Sequence, residues 1–226
     1  MIKHVSFDFW DTLCIGNPKY IDARVNWLSS EYSVDPKSVR SAIMQVKRDC
    51  DSLGIESWTT VPHDTQWLFI LYKLGIPVAE LGKILEKMTE LFRQFPPEII
   101  IDRSILARFD NDCISTSITC NTGLASGNMI FDFIADSWLQ YYFDFYYWSD
   151  ERQYFKPNPL VGTFILNHRH CLASQPNEII HIGDNENTDG KLCSKTGMNF
   201  VHFSKSKLNY NDIFEHELYS RSRNIS

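Results

Sequence analysis

The sequence predicts an α/β fold: a Rossmann-like parallel sheet with helices on both faces, into which an all-helical cap subdomain is inserted. Three observations predict it. Five short apolar runs, each the length of a buried strand, alternate with segments of helical periodicity. Several of these runs end in small or acidic residues, as strands do where the carboxyl edge of a parallel sheet lines a ligand crevice. The long stretch from about residue 17 to residue 96, between the first run and the second, has helical spacing and no strand pattern.

In chain order, Val5 to Phe9 reads as a buried strand whose end carries Asp8 and Asp11. Three apolar stripes at spacings of three and four follow. They comprise Val39, Ile43, Val46, Cys50 and Leu53, then Trp67, Ile70, Leu71 and Leu74, then Leu81, Ile84, Leu85, Met88, Leu91, Phe92 and Phe95. Such stripes bury against one another, so a small helical bundle is expected and the stripes are its core rather than a ligand site. Pro96 and Pro97 end the last helix and mark a hinge back to the sheet. Strands are expected again at Cys113 to Cys120, Phe143 to Trp148, Ile179 to Ile182 and Phe200 to Phe203. The loop NTGLASG follows the second and GDNENTD the fourth. The domains so delimited are a core, 1–16 with 97–226, and a cap, 17–96. The polar stretch after Phe203, ending SRSRNIS, is given no role and its tip is expected to fray.

The 226 residues suit one core plus one subdomain, and with 43% hydrophobic and 22% charged residues the chain reads as ordinary globular protein. A formal charge of −6 with scattered Lys and Arg argues against a nucleic-acid surface and leaves room for a small anionic substrate. The six cysteines form no CxxC pair, which fits reduced thiols and a cytoplasmic protein. The N-terminal apolar run is too short for a signal peptide and no stretch suits a membrane span. Nothing in the sequence fixes an oligomeric state.

Four short elements carry chemistry. Asp8 and Asp11 frame Trp10 and precede Thr12 at the end of the first strand; alone, this pattern is as well explained by helix capping. Gly183, Asp184, Asn185 and Asp189, with Glu186 between, place two carboxylates in one loop, and hard oxygen ligands at a strand end suit magnesium. Asp and Asn are also ordinary turn formers. Lys156, followed by Pro157, could neutralise a nucleophile and a phosphate that otherwise repel, although a lone lysine is usually a solvated charge. Cys120 and Asn121 end the second of the five runs.

The order of these pieces resembles the haloacid-dehalogenase-like family: an aspartate motif on the first strand, a small polar residue after the second, Lys-Pro, then Gly-Asp with a second Asp downstream. The resemblance spans the whole sheet, and the helical insertion sits where that family places its cap. It implies a Mg²⁺-dependent phosphohydrolase acting on a small phosphorylated metabolite. Asp8 would be the nucleophile that forms an aspartyl-phosphate. Asp8, Asp184 and the backbone carbonyl of Trp10 would hold the metal. Asp189 would act through water or as partner to Lys156, and Lys156, Cys120 and Asn121 would meet the phosphate.

The sequence departs from the family twice. Cys120 stands where a Ser or Thr hydroxyl is expected, and a thiol is the weaker donor, so phosphate contact would pass to Thr119, Thr122 or the amides around Asn121. Without a histidine at a telling spacing, Cys120 reads as an inert buried thiol. Trp10 stands where most family phosphatases carry an acid, a loss of about a hundredfold to ten-thousandfold on poor leaving groups. Asp11 would replace that acid only if a local turn brought it round, since neighbours on a strand point to opposite sides. Two alternatives follow: a binding or regulatory protein with little turnover, and a metal-independent dehalogenase, whose DxYGT motif Trp10 loosely resembles. The family's dehalogenases lose the carboxylate kept here at Asp184, which ranks that reading lower. Asn17, Arg24, Arg48 and His63 are the polar cap candidates for substrate choice, and Phe9 and Trp10 would contact an apolar part of it. His168 and His170, expected to diverge on a helix, are given no role.

Overall fold

In a computed structural model, residues 2–203 are described; the polar C-terminal stretch lies outside them. The first predicted strand forms as β1 (His4–Phe7) and stops two residues early, because from Asp8 onward the chain turns. Two pairs of residues then make a small antiparallel neck, β2 (Cys14–Ile15) with β3 (Glu98–Ile99), in register Cys14 to Ile99. The neck holds together the points where the chain leaves for the helical insertion and returns from it.

Between them run α1 (Pro18–Tyr32), α2 (Pro36–Ser57), α3 (His63–Leu74) and α4 (Leu81–Gln94). Local chemistry sets their ends. Asn17 and Asp35 cap α1 and α2 by accepting the amides of Lys19 and Ser38, with proline at the first helical position of each. Gly75 closes α3 in the left-handed conformation, φ 68°. The predicted stripes are the buried faces: Val39, Ile43, Val46 and Cys50 on α2, Trp67, Ile70 and Leu71 on α3, Ile84, Met88, Leu91 and Phe92 on α4. Each such side chain contributes about 1.5–3 kcal/mol of apolar burial. Leu53 is a correction: it is 49% exposed, and the buried face of α2 runs from Cys50 to Gly54 instead.

The chain then builds α5 (Arg103–Asn111), β4 (Ser115–Cys120), α6 (Gly127–Ala135), β5 (Phe145–Trp148), α7 (Ser149–Arg152), α8 (Pro159–Asn167), β6 (Ile179–Gly183), α9 (Lys191–Thr196) and β7 (Asn199–His202). All five predicted strands pair in parallel, in the order β5-β4-β1-β6-β7. Val5, Phe7, Ile118, Ile180 and Ile182 pack with Ile105 and Phe109 of α5 and Ile130 and Ile134 of α6. On the opposite face Phe145, Tyr147 and Ile179 pack with Val161 and Ile165 of α8 and Leu192 of α9. Helices therefore cover both faces, and the carboxyl ends of β1, β4 and β6 meet in the middle of the sheet. Among the described residues no helix is long and apolar enough to cross a membrane.

Candidate active site

β1, the central strand, delivers Asp8 to the sheet's carboxyl edge, where its amide donates to Ile182 O at 2.8 Å. The next residues fold into a tight turn: Leu13 and Cys14 both donate to Phe9 O at 3.0 Å, and Asp11 takes φ 58°. No helix starts here, which removes the capping explanation of Asp11 and Thr12; Thr12 Oγ1 instead approaches Asp8 Oδ2 at 3.5 Å. The alternation argument against Asp11 also lapses, because the strand ends before it. Asp11 is exposed and its charge raises the pKa of Asp184. Trp10 is half-buried, its ring edge-on to Phe9 at 4.8 Å.

Lys156 is 1% exposed and spends its three ammonium protons on Asp8 Oδ1 at 2.7 Å, Asp189 Oδ1 at 2.6 Å and Thr119 O at 2.8 Å. Asn121 brackets its backbone: the Lys156 amide donates to Asn121 Oδ1 at 2.8 Å, and Asn121 Nδ2 donates to Lys156 O at 3.1 Å. The side chain of Asn121 is thus committed to holding the lysine. Thr119 and Thr122 are committed too. Thr119 Oγ1 meets Ser6 Oγ at 2.9 Å, and Thr122 Oγ1 accepts the Asp150 amide at 3.0 Å while its own amide donates to Ser149.

Asp189 lies in a π-helical turn, Glu186–Gly190, after β6. Its Oδ1 accepts from Lys156 and from His181 Nε2 at 2.9 Å, and its Oδ2 from the Asn185 amide and Thr188 Oγ1 at 3.3 and 3.4 Å. Gly183 makes room, since a Cβ there would overlap the Asp189 carboxylate.

Burial pushes Asp8 up to about 7 against the pull of Lys156, and Asp184 rises by burial and by the charge of Asp189. Asp189 falls despite its burial, because Lys156 and His181 both favour its anion; Lys156, between two carboxylates, stays charged. Burial, with the Asp8 carboxylate beside it, drives the Cys120 thiol well above its ordinary value, as an inert thiol requires.

Asp8, Asp184 and Asp189 each offer an oxygen within 4.8 Å of the others. Three carboxylates around one ammonium leave negative charge in surplus, and after burial it is the neighbouring carboxylates that raise Asp8 and Asp184. Hard oxygen donors with that surplus fit a small divalent cation such as Mg²⁺, and with Asp189 saturated by donors, Asp8 and Asp184 are the carboxylates left to hold it.

Of the four cap candidates, His63 alone is seen to touch the site's surroundings, its Nε2 lying 3.3 Å from Leu124 O in the loop after β4. Asn17 ties the neck by donating to Pro96 O at 3.1 Å. Arg24 is buried over the Tyr20 ring at 4.3 Å, and Arg48 is exposed along a groove between α1 and α2. His168 and His170 do not diverge: α8 ends at Asn167, and the two rings stack at 5.4 Å, with His168 on Phe145. Phe145 opens β5, so this stack lies at the end of the sheet away from Asp8.

Sequence reasoning missed His181, whose Nε2 lies 2.9 Å from Asp189 Oδ1, and Ser6, whose hydroxyl lies 3.0 Å from His181 Nδ1. The signal was present as alternation: His4, Ser6 and Asp8 on β1, and Ser115, Ser117 and Thr119 on β4, repeat at two.

No family model matches the chain, and no curated protein matches it. Solved structures do match its fold. A 2-haloacid dehalogenase from Pseudomonas syringae superposes with TM-score 0.67 at 18% identity, over 98% of this chain and 100% of that one. A proposed beta-phosphoglucomutase from Thermotoga maritima gives 0.66 at 15%, covering 100% of both chains. A HAD phosphatase from Thermococcus onnurineus gives 0.62 at 17%, over 92% of this chain and 89% of that one. The protein therefore has the haloacid-dehalogenase-like fold.

Proposed function

We propose that the protein is a Mg²⁺-dependent phosphohydrolase that cleaves a small phosphorylated metabolite through an aspartyl-phosphate on Asp8. On this reading 1–16 and 97–226 would be its core, of which residues 1 and 204–226 lie outside the described ones, and 17–96 would be its cap. One observation carries the reading: the buried Lys156 ammonium joins Asp8 to Asp189 beside the carboxylate of Asp184. That arrangement neutralises a nucleophile while leaving acidic oxygens for a cation, which phosphoryl transfer needs and carbon–halogen displacement does not.

Asp8 would attack phosphorus as the ester P–O bond breaks and the leaving oxygen takes a proton from water. A second water then hydrolyses the acyl phosphate, releasing inorganic phosphate and restoring Asp8. Lys156 would neutralise charge on the equatorial oxygens, Cys120 at the end of β4 and the amides around Asn121 would meet them, and Trp10 would offer its backbone carbonyl to the metal. The cation, when bound, would neutralise charge on the transferring group. Lacking an acid at Trp10, the enzyme would favour substrates whose leaving oxygen is already a weak base. The reduced-thiol chemistry of its cysteines suits the cytoplasm.

Trp10 also favours a second reading, a dehalogenase-type hydrolase, since halide leaves without protonation. Hydrolysis of para-nitrophenyl phosphate and of sugar and nucleotide phosphates separates the two, assayed with Mg²⁺, with chelator and with Asp8→Asn. Phosphate release that needs Mg²⁺ and vanishes in Asp8→Asn is expected. Silence on phosphates with chelator-resistant halide release from 2-haloacids would replace the reading. Thermal stabilisation by a ligand without product would indicate a binding role.

A further inference from the structure

Strands of a parallel sheet covered on both faces normally read as near-continuous apolar runs. Here three neighbours carry buried polar side chains on one face: Ser6 on β1, Thr119 on β4 and His181 on β6, all 0% exposed. Their hydrogen bonds run in one direction. A carboxylate only accepts, so the 2.9 Å contact to Asp189 Oδ1 places the ring proton on His181 Nε2. Nδ1 of the neutral ring then accepts from Ser6 Oγ at 3.0 Å, and Ser6 Oγ accepts from Thr119 Oγ1 at 2.9 Å.

Lys156 has three protons and three acceptors, so its place is set by theirs. Asp8 and Thr119 sit at strand ends. Asp189 sits in a turn, and apart from Lys156 the one hydrogen bond under 3 Å to its carboxylate among the described residues comes from His181. We propose that His181 is a positioning residue: it holds Asp189 in the orientation that sets the Lys156 ammonium against Asp8, with Ser6 and Thr119 fixing its tautomer. The kinetic consequences rest on the phosphohydrolase reading; the placement of Lys156 does not.

The full chain with Mg²⁺ and para-nitrophenyl phosphate gives one readout. His181→Leu is expected to lower kcat about tenfold to a hundredfold with KM within about twofold, as loss of an outer-shell support does. His181→Gln, whose amide nitrogen reaches toward the same oxygen, should recover most of that loss. The second readout needs no turnover: the Lys156 ammonium in ¹H–¹⁵N spectra, identified by its loss in Lys156→Met. A signal that shifts in His181→Leu and returns in His181→Gln supports the proposal; one unchanged in a cooperatively folded His181→Leu overturns it. If His181→Leu does not fold, Ser6→Ala decides on the same criterion, since it removes only the hydroxyl behind the ring. A responsive signal in a wild type without phosphatase activity would refute the phosphohydrolase reading and leave the positioning role standing.

Discussion

On one face of the central sheet Val5, Phe7, Ile180 and Ile182 meet α5 and α6 as packed hydrocarbon. On the other, His4, Ser6, Ser117, Thr119 and His181 are equally buried but hydrogen-bond to one another and lead to Asp189 and Lys156. Dispersion is non-directional, so the first face resists losses of volume and is indifferent to small rotations. Hydrogen bonds are directional, and a buried polar group without its partner costs about 1–3 kcal/mol, so the second face fixes orientation. The same backbone thus stabilises with one side and aims with the other.

The largest effect should come from breaking the aimed side at its end. Lys156→Met leaves two buried carboxylates facing each other, an expected loss of about 3–5 kcal/mol in urea unfolding. If the substrate is a phosphate ester as proposed, turnover should fall beyond about a thousandfold, since Asp8 and the phosphate then repel. Adding Asp189→Asn should restore part of the stability and none of the activity. On the packed side Phe7→Ala should cost a comparable 3–5 kcal/mol, about what a buried aromatic truncation costs, yet leave kcat of the folded fraction within about twofold. Equal losses of kcat from both faces would erase the contrast.

pH gives a second, smaller separation. His4 is pushed down to about 3 by burial, with its two ring nitrogens on Ser115 and Ser117 hydroxyls, and His181 is lowered by burial as well. The unfolded chain takes up these protons near pH 6.5, whereas the folded chain refuses them. The stability these two histidines contribute is therefore fully present above about pH 7 and falls as pH drops through 6.5, by about 1.4 kcal/mol per unit for each, until His4 protonates in the fold near pH 3. Asp8, raised to about 7, takes up a proton in the fold over the same range and offsets about one of them, so the net slope is smaller. Urea midpoints between pH 7.5 and 5 should show this slope in the wild type and in Phe7→Leu. In His4→Gln it should be shallower by one proton; an unchanged slope there would mean that His4 is already charged in the fold.

The two faces were not equally legible in the sequence. Apolar runs revealed all five strands because burial on both sides demands them, and the order Asp8, Lys156, Asp184, Asp189 named side chains that the fold brings together. The neck strands were invisible, since two residues make no pattern. Leu53 was misassigned for a physical reason: α2 continues its buried face through Gly54, where a Cβ would stand 2.9 Å from the Phe155 ring, and a stripe read from apolar side chains cannot show a position that is buried by having none. His181 was overlooked inside Ile179-Ile180-His181-Ile182 because one polar residue in an apolar run reads as tolerated. Its meaning appears only when Ser6 and Thr119 arrive from strands distant in sequence.

Cys120 lies where the two faces converge, and the smallest predicted effect tests which it belongs to. Along β4, Ser115, Ser117 and Thr119 share the polar side, so Cys120 falls with Thr116 and Ile118 on the other, fully buried. It is nevertheless the last residue of its strand, close enough to Asp8 to feel its charge. If its side chain faces the phosphate, Cys120→Ser supplies a stronger donor, and kcat/KM should rise, by no more than about threefold for one improved hydrogen bond, with stability within about 1 kcal/mol. If it belongs to the packed face, the hydroxyl is left unsatisfied, costing about 1–3 kcal/mol with no gain in rate. The first result would extend the aimed surface one residue past Thr119; the second would assign phosphate recognition beyond β4 to backbone amides.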